Sequence, residues 1–384
     1  MKRKLLSVLL ISMLLVGALA GCGGGTTTAP PAGGDDPGAN QSEKTFNWRI
    51  QAFTGTGTTF HQWTVNLARL ITEATGGRLT VEAYGAGELV ETFDVPNAIR
   101  DGVIDAGLTY ATLWTIEYGM PLFTSTPGLF ADPWEYWSWF KYGGGKEIWR
   151  DITSPYDVYV MVGGMFDAEN FLWATAPVTK VDDLLNYKIR MMPLFGDILA
   201  SKGGSIVFLP AGEIVPSIER GVVDAAEFSI SAMDETLGFH DVAKYYHKPG
   251  WHQPSFLMEF SVNGKRWREL PADIQAIVEL CADANVVWCL MQCPQINTAA
   301  EVRFKANGNE EVILNDEVMG ILMKWTEEWF DEMEVKDPFI GRVRASQKEF
   351  MKWYVPYKEK LHIPYPDWAY ENYDKHPYVF VPKT

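Results

Sequence analysis

Arg190 and Glu227 are the two residues whose types and spacing most directly suggest chemistry. Arg190 falls within a short apolar run that is typical of a strand, and Glu227 falls near the end of another such run. A guanidinium group can hold a small anion through two parallel hydrogen bonds, which a lysine ammonium group does not reproduce equally. The sequence therefore predicts a small-anion site in which Arg190 binds the anion. A surface salt bridge is the alternative for a lone arginine on a strand.

The segment 186–228 supplies the elements that would position this pair. Short apolar runs predict strands over 188–192, 206–209 and 222–228, and helical patterns cover 197–203 and 214–220. Strands that alternate with helices in this way are typical of βαβ units. Ligands of open α/β sheets gather at strand ends where the strand order switches, so this segment is expected to form one wall of the site.

A second βαβαβ rhythm fills the segment 46–109. Its predicted strands cover 46–53, 79–84 and 105–109, and its predicted helices cover 59–74 and 95–101. The phrase RDGVIDAGLTY (100–110) echoes ERGVVDAAEFS (219–229), because in both a charged helix end is followed by glycine and then by an apolar strand. The echo predicts two similar lobes. Tyr110, which ends the first phrase, is a predicted ligand contact.

The remaining segments are expected to connect and support the lobes. Strands that cross between the lobes are predicted over 158–164 and 256–262. A long helical pattern over 271–305 is expected to break at Pro294, and two further helices are predicted over 317–333 and 341–354. The aromatic run 134–141 is expected to pack a helix against a sheet, with stacking on a ligand as the alternative.

The N-terminus has the features of an export signal. Lys2–Lys4 form a basic head, and the apolar stretch 5–20 is too short and too close to the N-terminus for a membrane span. Leu19-Ala20-Gly21-Cys22 resembles the bacterial lipobox, in which the cysteine becomes lipid-modified. We therefore predict a signal peptide over 1–21, lipidation of Cys22 and a flexible tether over 22–45. Ordinary secretion with an incidental cysteine is the alternative.

Composition limits the classes of function. Without residues 1–21 the chain keeps 363 of its 384 residues, enough for two lobes, and the formal charge changes from −16 to −19. Such acidity argues against binding of nucleic acid or anionic lipid through broad electrostatics, although a local cation can still hold a small anion. Cys281, Cys289 and Cys293 share one helical pattern. Buried free thiols are favoured, because intrahelical disulfide geometry is poor and no zinc motif is present.

Taken together, the motifs resemble the solute receptors of TRAP (tripartite ATP-independent periplasmic) transporters, in particular the branch that binds α-keto acids and lactate with a metal ion. The resemblance runs from about Trp48 to Lys358. It rests on the order and spacing of GGRLTVEAYGAGELV (76–90), IRDGVIDAG (99–107), KYGGGKEIW (141–149), LPAGEIVPSIERGVVDAAEF (209–228), VAKYYHKPGWHQP (242–254) and LPADIQAIVE (270–279).

The resemblance implies an α/β fold of the type II periplasmic-binding-protein-like kind, with two lobes, a ligand cleft between them and long C-terminal helices. Lobe I is expected to comprise 46–160 with part of 256–305. Lobe II is expected to comprise 161–255 with part of 306–358. The tail 359–384 is expected to lie on the surface.

The resemblance also implies roles for individual residues. The carboxylate-binding arginine of the family falls on Arg190, and its acidic metal ligand, followed by an aromatic residue that offers its carbonyl, falls on Glu227 and Phe228. The family glutamine falls on Glu169, and the glutamate of its GWHEP phrase falls on Gln253. Two ligand types are thus exchanged while the carboxylate count is kept. Such oxygen ligands suit Ca²⁺ or Na⁺ bridging the ligand; the alternative is that the metal is lost.

Two departures from the family pattern concern the ligand. The family's Asn-Thr-Gly is replaced by Met165-Phe166-Asp167, and its Pro-Tyr-Asn segment by Ala232-Met233 before Asp234. A pocket that gains Phe166 and Met233 and loses two amides is more apolar, so the ligand is expected to be larger or more apolar than pyruvate or lactate. The predicted substrate-binding residues are Arg190, Glu169, Phe166, Tyr110 and Met233.

The predicted function is that of an extracytoplasmic receptor, not an enzyme, that delivers a small organic monocarboxylate to integral membrane subunits. No nucleic acid partner is expected. The family branch implies a homodimer through the C-terminal helices, with Trp325, Trp329 and Phe330 either at the interface or packed inside. Two rival classes stay open: the binding component of a sensor, and a secreted hydrolytic or carbohydrate-active enzyme. For the enzyme, the sequence offers no GxSxG, HExxH or P-loop motif.

Overall fold

The computed structural model of the chain describes residues 44–114, 119–125, 127 and 129–361. Cys22, the predicted signal peptide 1–21 and the tail beyond residue 361 lie outside the described residues. The strands of the described part are β1 (Phe46–Ala52), β2 (Leu79–Tyr84), β3 (Ala106–Thr109), β4 (Val158–Phe166), β5 (Leu172–Ala174), β6 (Lys188–Arg190), β7 (Ser205–Val207), β8 (Ala225–Ala226), β9 (Tyr245–Lys248), β10 (Phe256–Asn263) and β11 (Glu310–Ile313).

The α-helices of the same part connect and cover these strands. They are α1 (Thr59–Ala74), α2 (Val95–Arg100), α3 (Pro133–Tyr142), α4 (Gly145–Thr153), α5 (Val181–Asn186), α6 (Pro193–Ala200), α7 (Ala211–Glu219), α8 (Ser231–Leu237), α9 (Phe239–Val242), α10 (Gly264–Glu269), α11 (Ala272–Asn307), α12 (Asp316–Lys336) and α13 (Pro338–Glu359).

The strands form two mixed sheets, as expected for two α/β lobes. The first sheet has the order β2-β1-β3-β10-β4, and the second has the order β11-β9-β5-β8-β6-β7. Each sheet contains three parallel strands with the same arrangement: β1 pairs with β2 and β3, and β6 pairs with β7 and β8. Both βαβαβ units predicted from the sequence are therefore present.

Helix α1 illustrates how local sequence produces these units. The side chain of Thr58 caps the helix by accepting a hydrogen bond from the backbone N–H of His61. An apolar stripe of Phe60, Trp63 and Leu67 is buried against the first sheet. Gly76 and Gly77 adopt positive φ angles of 62° and 78°, so the chain turns immediately after the helix into β2.

Two crossing segments between the sheets hold several of the predicted site residues. The chain leaves the first sheet after β4 and enters the second at β5, and it returns between β9 and β10. Glu169 lies on the outward segment, and Gln253 lies on the return segment. The Glu169 N–H donates to the Gln253 carbonyl at 3.2 Å, so the two segments run side by side.

The long helix α11 corrects one expectation. It continues for 36 residues through Pro294, so the predicted break at this proline is wrong. A proline inside a helix removes one backbone hydrogen bond, but packing of α11 against β4, α1 and α8 supports the helix on both sides of it. By length and composition α11 would suffice to cross a membrane, a property that long core helices share. Its cysteines at 281, 289 and 293 are buried free thiols, as predicted.

The C-terminal helices contact elements of both lobes. Helix α12 packs on α6, and α13 packs on α4 and α12. Trp329 and Phe330 are buried in the core, so the interpretation in which they pack inside holds for these two residues, whereas Trp325 is half-buried. The predicted lobe boundary between residues 160 and 161 falls inside β4, and β4 pairs with β10 as far as Phe166. The domain ranges themselves stay a prediction.

Candidate functional site

A cavity of about 290 Å³ lies where elements of the two sheets meet. Its walls include residues from the strand ends of both βαβαβ units and from both crossing segments. The lining residues include Phe53, Phe93, Tyr110, Phe166, Glu169, Arg190, Phe208, Glu227, Phe228, Gln253 and Phe256. The cavity thus brings together seven of the eight residues that the sequence nominated for ligand or metal binding within the described part of the chain.

Arg190 is the last residue of β6, and its guanidinium group is buried at the cavity. Its Nε donates to the Leu209 carbonyl at 3.1 Å, and its Nη1 donates to the backbone carbonyl and to Oε2 of Glu227 at 2.5 and 3.0 Å. Its Nη2 contacts only the soft acceptor Met192 Sδ, at 3.9 Å, among the described partners. One arm of the guanidinium group is therefore fixed by the protein, while the other remains able to bind an anion.

Glu227 follows β8 directly and divides its two carboxylate oxygens between two neighbours. Oε2 accepts from Arg190 and, at 3.2 Å, from the backbone N–H of Met192. Oε1 lies 3.9 Å from Nε2 of His252. Burial raises the pKa of Glu227, and the charge of Arg190 opposes this shift.

Glu169 is the second buried carboxyl group of the site. Its Oε1 accepts from Nε2 of Gln253 at 2.8 Å, and its Oε2 lies 3.6 Å from Nε2 of His252. Oε2 has no hydrogen-bond partner within the described part of the chain. Burial, and secondarily the nearby charges of Glu227 and Asp234, raise the pKa of Glu169 well above its usual range. Such a group needs a proton or a cation beside it to remain buried at neutral pH.

His252 is a site residue that the sequence analysis missed. It is fully buried, neither of its ring nitrogens has a hydrogen-bond partner among the described residues, and burial lowers its pKa to about 3. Its ring is therefore neutral and has a free nitrogen lone pair. Glu169, Glu227 and His252 each place one potential ligand atom within 4.8 Å of the others. In the sequence, the only indication of a role for His252 was its position directly before Gln253 in the WHQP phrase.

Of the remaining predicted residues, Phe166, Tyr110 and Phe228 line the cavity, but Met233 does not. Met233 is buried on α8, which packs against α11, so its side chain belongs to the hydrophobic core. The structure thus corrects the expectation that Met233 contacts the ligand. The side-chain amide of Gln253 orients Glu169 by donating to it, as described above.

Asp234 supports the site from behind. Its Oδ2 accepts from Nδ2 of Asn170 at 2.7 Å and from Nε1 of Trp173 at 2.8 Å, and its Oδ1 accepts from the Ser229 N–H at 3.0 Å. Burial raises the pKa of this carboxyl to about 8. These bonds hold the segment after Glu227 against the segment that carries Glu169.

The cavity wall beside the first sheet is aromatic. Phe166 stacks on Phe256 with 4.6 Å between ring centroids, and Phe53 contacts Phe256 at 6.2 Å. Tyr110 meets Phe53 and Phe256 edge-on, at 5.1 and 5.7 Å. Burial raises the pKa of the Tyr110 hydroxyl to about 12, so this group is neutral. Phe53 and Phe256 were not predicted as site residues, because each resembles any other apolar residue of a strand.

Comparison with known proteins gives one family over most of the chain. The family described as bacterial extracellular solute-binding protein, family 7 (DctP), matches residues 51–336. A monocarboxylate 2-oxoacid-binding periplasmic protein of Nostoc sp. is 29% identical over 305 residues, which cover 79% of this chain and 83% of that protein.

Two solved structures show the same fold. A TRAP transporter solute-binding protein from Bordetella bronchiseptica, with copurified calcium and picolinate, has a TM-score of 0.77 at 24% identity, covering 86% of this chain and 97% of that one. A TRAP periplasmic solute-binding protein from Colwellia psychrerythraea, with bound calcium and pyruvate, has a TM-score of 0.77 at 24% identity, covering 86% and 99%.

Proposed function

The chain belongs to family 7 of the bacterial extracellular solute-binding proteins, and on that premise we propose that it binds an organic monocarboxylate through Arg190 for delivery to the membrane subunits of a TRAP transporter. The observation that carries this proposal is the guanidinium group of Arg190, buried at the cavity with its Nη2 not used by a strong acceptor among the described residues. The proteins of this family are receptors of transporters, so the rival interpretation as a secreted enzyme is not favoured.

The ligand class is supported by the cavity and by the relatives. A carboxylate can accept two parallel hydrogen bonds from a guanidinium group, and the buried setting strengthens them. The Nostoc relative is named for 2-oxoacids, and the Bordetella and Colwellia proteins hold picolinate and pyruvate. We therefore propose a 2-oxo or 2-hydroxy acid, held at its carboxylate by Arg190, with the lobes closing around it.

We propose in addition that a cation is bound beside Arg190. The donor set fits a hard cation, because two buried carboxyl groups converge beside an uncharged histidine ring, and because Glu169 Oε2 otherwise lacks a hydrogen-bond partner in the described structure. When bound, a Ca²⁺ or Na⁺ ion would offset the negative charges and bridge protein and ligand oxygens. Glu169 and Glu227 would hold it through their oxygen atoms, which such cations prefer, Gln253 would orient Glu169, and the Phe228 carbonyl stays a predicted ligand.

Substitution of Arg190 tests the carboxylate-binding role. Loss of a buried charge-assisted pair costs roughly 2–5 kcal/mol, so Arg190→Ala should bring pyruvate binding near or below detection in calorimetry. Arg190→Lys should bind weakly, because it keeps the charge but loses the bidentate geometry. Arg150→Lys, at a partly buried arginine outside the cavity, is the control. Wild-type affinity in Arg190→Ala would refute the proposal.

Metal analysis and chelation test the cation. Stoichiometric metal in the purified protein, and weaker pyruvate binding after chelation, are expected. The double change Glu169→Gln with Gln253→Glu keeps the carboxylate count, so it should retain metal better than either single change. If no stoichiometric cation is found and chelation leaves the affinity unchanged, the site works with Arg190 alone.

We propose that the receptor is extracytoplasmic and anchored by a lipid on Cys22. The family is extracellular, and the lipobox-like sequence at 19–22 supports the anchor. Cys22→Ser should yield an unprocessed or released protein in cell fractionation. A variant that fractionates and migrates like the wild type would argue for ordinary secretion.

We also propose a homodimer through α12 and α13. Val335 and Trp353 are exposed on these helices, and the Bordetella neighbour is described as a dimer. Trp353→Ser should shift the mass measured by light scattering from two copies to one. A single-copy mass for the wild type would contradict this assembly.

A further inference from the structure

Phe93 and Phe208 differ from the other phenylalanines of the described residues. They are the two whose side chains are exposed, at 65% and 47%, and both line the cavity. Phe93 lies in the short 3₁₀ turn Thr92–Asp94 beside the first sheet, whereas Phe208 directly follows β7 of the second sheet. Two exposed aromatic rings therefore border one cavity from opposite lobes.

Resting on the function proposed above, we propose that the ligand is a monocarboxylate with a single uncharged tail that carries an aromatic ring, and that Phe93 and Phe208 hold this ring from the two lobes. The binding of the carboxylate by Arg190 belongs to the proposed function. The aromatic tail and the role of these two phenylalanines are what this inference adds.

The distribution of charge limits the tail to an uncharged group. Arg190, Glu169 and Glu227 are the charged side chains among the described lining residues, and they lie together at one end, with 3.0 Å between Arg190 Nη1 and Glu227 Oε2. A second carboxylate or an ammonium group on the tail would be buried without a partner of opposite charge, which is costly. Dicarboxylates and amino-bearing ligands are therefore excluded from strong binding.

The aromatic groups begin immediately beside the anion-binding residue. The ring centroids of Phe208 and Phe228 lie 5.5 and 5.9 Å from the guanidinium carbon of Arg190. The cavity wall beside the first sheet presents both ring faces and ring edges, because Tyr110 meets Phe53 and Phe256 at interplanar angles of 84° and 64°. Aromatic rings favour both offset-stacked and edge-to-face contacts, and such pairs stabilise beyond their buried area. A ring one or two carbons from the carboxylate uses these contacts, whereas a methyl group does not.

Calorimetry with four probes tests the inference on the wild-type protein: pyruvate, 4-methyl-2-oxopentanoate, 3-phenyl-2-oxopropanoate and 2-oxopentanedioate. We expect the phenyl compound to bind at least about 100-fold tighter than pyruvate from the extra apolar area. It should bind about 3- to 10-fold tighter than the branched aliphatic acid from its aromatic contacts. Binding of the dicarboxylate should be weaker than that of all three.

The outcomes separate this inference from the proposed function. If pyruvate binds as tightly as the phenyl compound, and Arg190→Ala abolishes both, the proposed function stands and the aromatic tail is wrong. Tight binding of the dicarboxylate would also overturn the inference. Failure of all four probes to bind would overturn both proposals.

Two conservative variants test the role of the rings. Phe93→Leu and Phe208→Leu keep an apolar side chain and remove a flat ring face, and both positions are exposed enough to tolerate the change. Each should weaken binding of the phenyl compound by about 3- to 10-fold, a larger factor than for pyruvate, which has no ring to contact these side chains. Trp134→Leu, at an aromatic residue that is 45% exposed and outside the cavity lining, is the matched control. Unchanged affinity for the phenyl compound in both cavity variants would refute the assigned role.

Discussion

The two βαβαβ units of this protein share one plan but differ where they reach the cavity. In the first unit (46–109) and the second unit (188–226), the first strand lies between the second and third. Each unit has an aspartate before its third strand that accepts from a backbone N–H at the central strand. Asp105 accepts from Arg49 and Asp224 accepts from Lys188, both at 2.8 Å. The scaffold is therefore repeated in its details.

The repeat ends at Gln51 and Arg190, which occupy equivalent positions on the central strands. Gln51 pairs with Gly107, and Arg190 pairs with Ala226, the matching residue of the echoed phrase. Gln51 binds the loop after β2, donating to the Val90 carbonyl at 2.7 Å and accepting from the Leu89 and Val90 N–H groups. Arg190 binds the loop after β7 through Leu209 and keeps Nη2 at the cavity.

The two side chains thus share one structural role, but only the second unit has a charged group at this position. Both side chains hold a loop against the central strand. Gln51 uses both its amide nitrogen and its amide oxygen for this purpose, whereas Arg190 uses only Nε. The matching position of the echoed phrase is Leu108, inside β3, in the first unit and Glu227, directly after β8, in the second. The first unit consequently supplies part of an apolar wall, and the second unit supplies Arg190, the proposed anion-binding residue, and its partner Glu227.

The largest expected effect on stability comes from replacing Glu227 of the second unit by leucine, the residue at the matching position 108 of the first unit. Glu227→Leu would leave the buried guanidinium group of Arg190 without its carboxylate, which costs about 3–5 kcal/mol of unfolding free energy. Urea denaturation should show this loss. The double variant Arg190→Gln with Glu227→Leu copies the first unit at both positions, so it should be more stable than Glu227→Leu alone. A single variant as stable as the wild type would mean that the pair does not stabilise the fold.

A smaller effect is expected from Glu259, a buried carboxyl of β10 next to β3. Unlike Glu227, it has no salt-bridge partner among the described residues, and it accepts from Nε1 of Trp114 and from the Ser261 hydroxyl. Burial raises the pKa of Glu259 to about 8. Between an unfolded pKa of about 4.3 and this value, the folded protein holds a proton that the unfolded chain has released. The unfolding free energy therefore falls as the pH rises through this window.

Glu259→Gln should reduce this decrease of the unfolding free energy with pH, because the amide oxygen still accepts from Trp114 and does not titrate. We expect the difference in stability between pH 5 and pH 8 to shrink by about 2–4 kcal/mol, since each pKa unit corresponds to about 1.4 kcal/mol. Asp234, whose pKa burial also raises to about 8, preserves part of the fall. Denaturation at both pH values measures the change, with the exposed Glu82→Gln as control. An unchanged pH dependence would show that Glu259 is not protonated in the folded state.

The regular elements could be predicted from sequence because their signals are local. The predicted ranges 59–74 and 79–84 match α1 and β2 from end to end. The predicted strand 222–228 is a strand only over Ala225–Ala226. Before it, the Val222 and Val223 N–H groups bind the Ser217 carbonyl of α7, and after it the Glu227 carbonyl accepts from the Arg190 side chain. The contact between Arg190 and Glu227 is a tertiary contact, which no propensity scale anticipates.

The site was predictable where a motif carried it. Glu227 and Gln253 lie within phrases whose order resembles a family, whereas Arg190 and Glu169 lie between such phrases and were assigned from the same resemblance. The cavity brings all four residues together. Phe93 and Phe208 could not be found in this way, since they are 115 positions apart and only the packing of two lobes makes them neighbours of one cavity. Met233 was assigned from the same resemblance, but it is buried in a core cluster that includes residues of α11.

The smallest expected effect tests whether the two units are equivalent in their turns. Gly102 and Gly221 match in the echoed phrases and have φ angles of 72° and 68°, a conformation that side chains with a Cβ atom disfavour. A Cβ atom at Gly102 would meet only Asn263 Nδ2, at 3.6 Å, and one at Gly221 would meet nothing within 4 Å. Gly102→Ala and Gly221→Ala should therefore each lower the unfolding free energy by about 1–2 kcal/mol, from backbone strain alone. Gly212→Ala in α7 has free space and no positive φ, so it should stabilise by about 0.5–1 kcal/mol. The losses of unfolding free energy in Gly102→Ala and Gly221→Ala should be similar. If they differ by more than the stabilisation that Gly212→Ala gives, the two turns are not structurally equivalent.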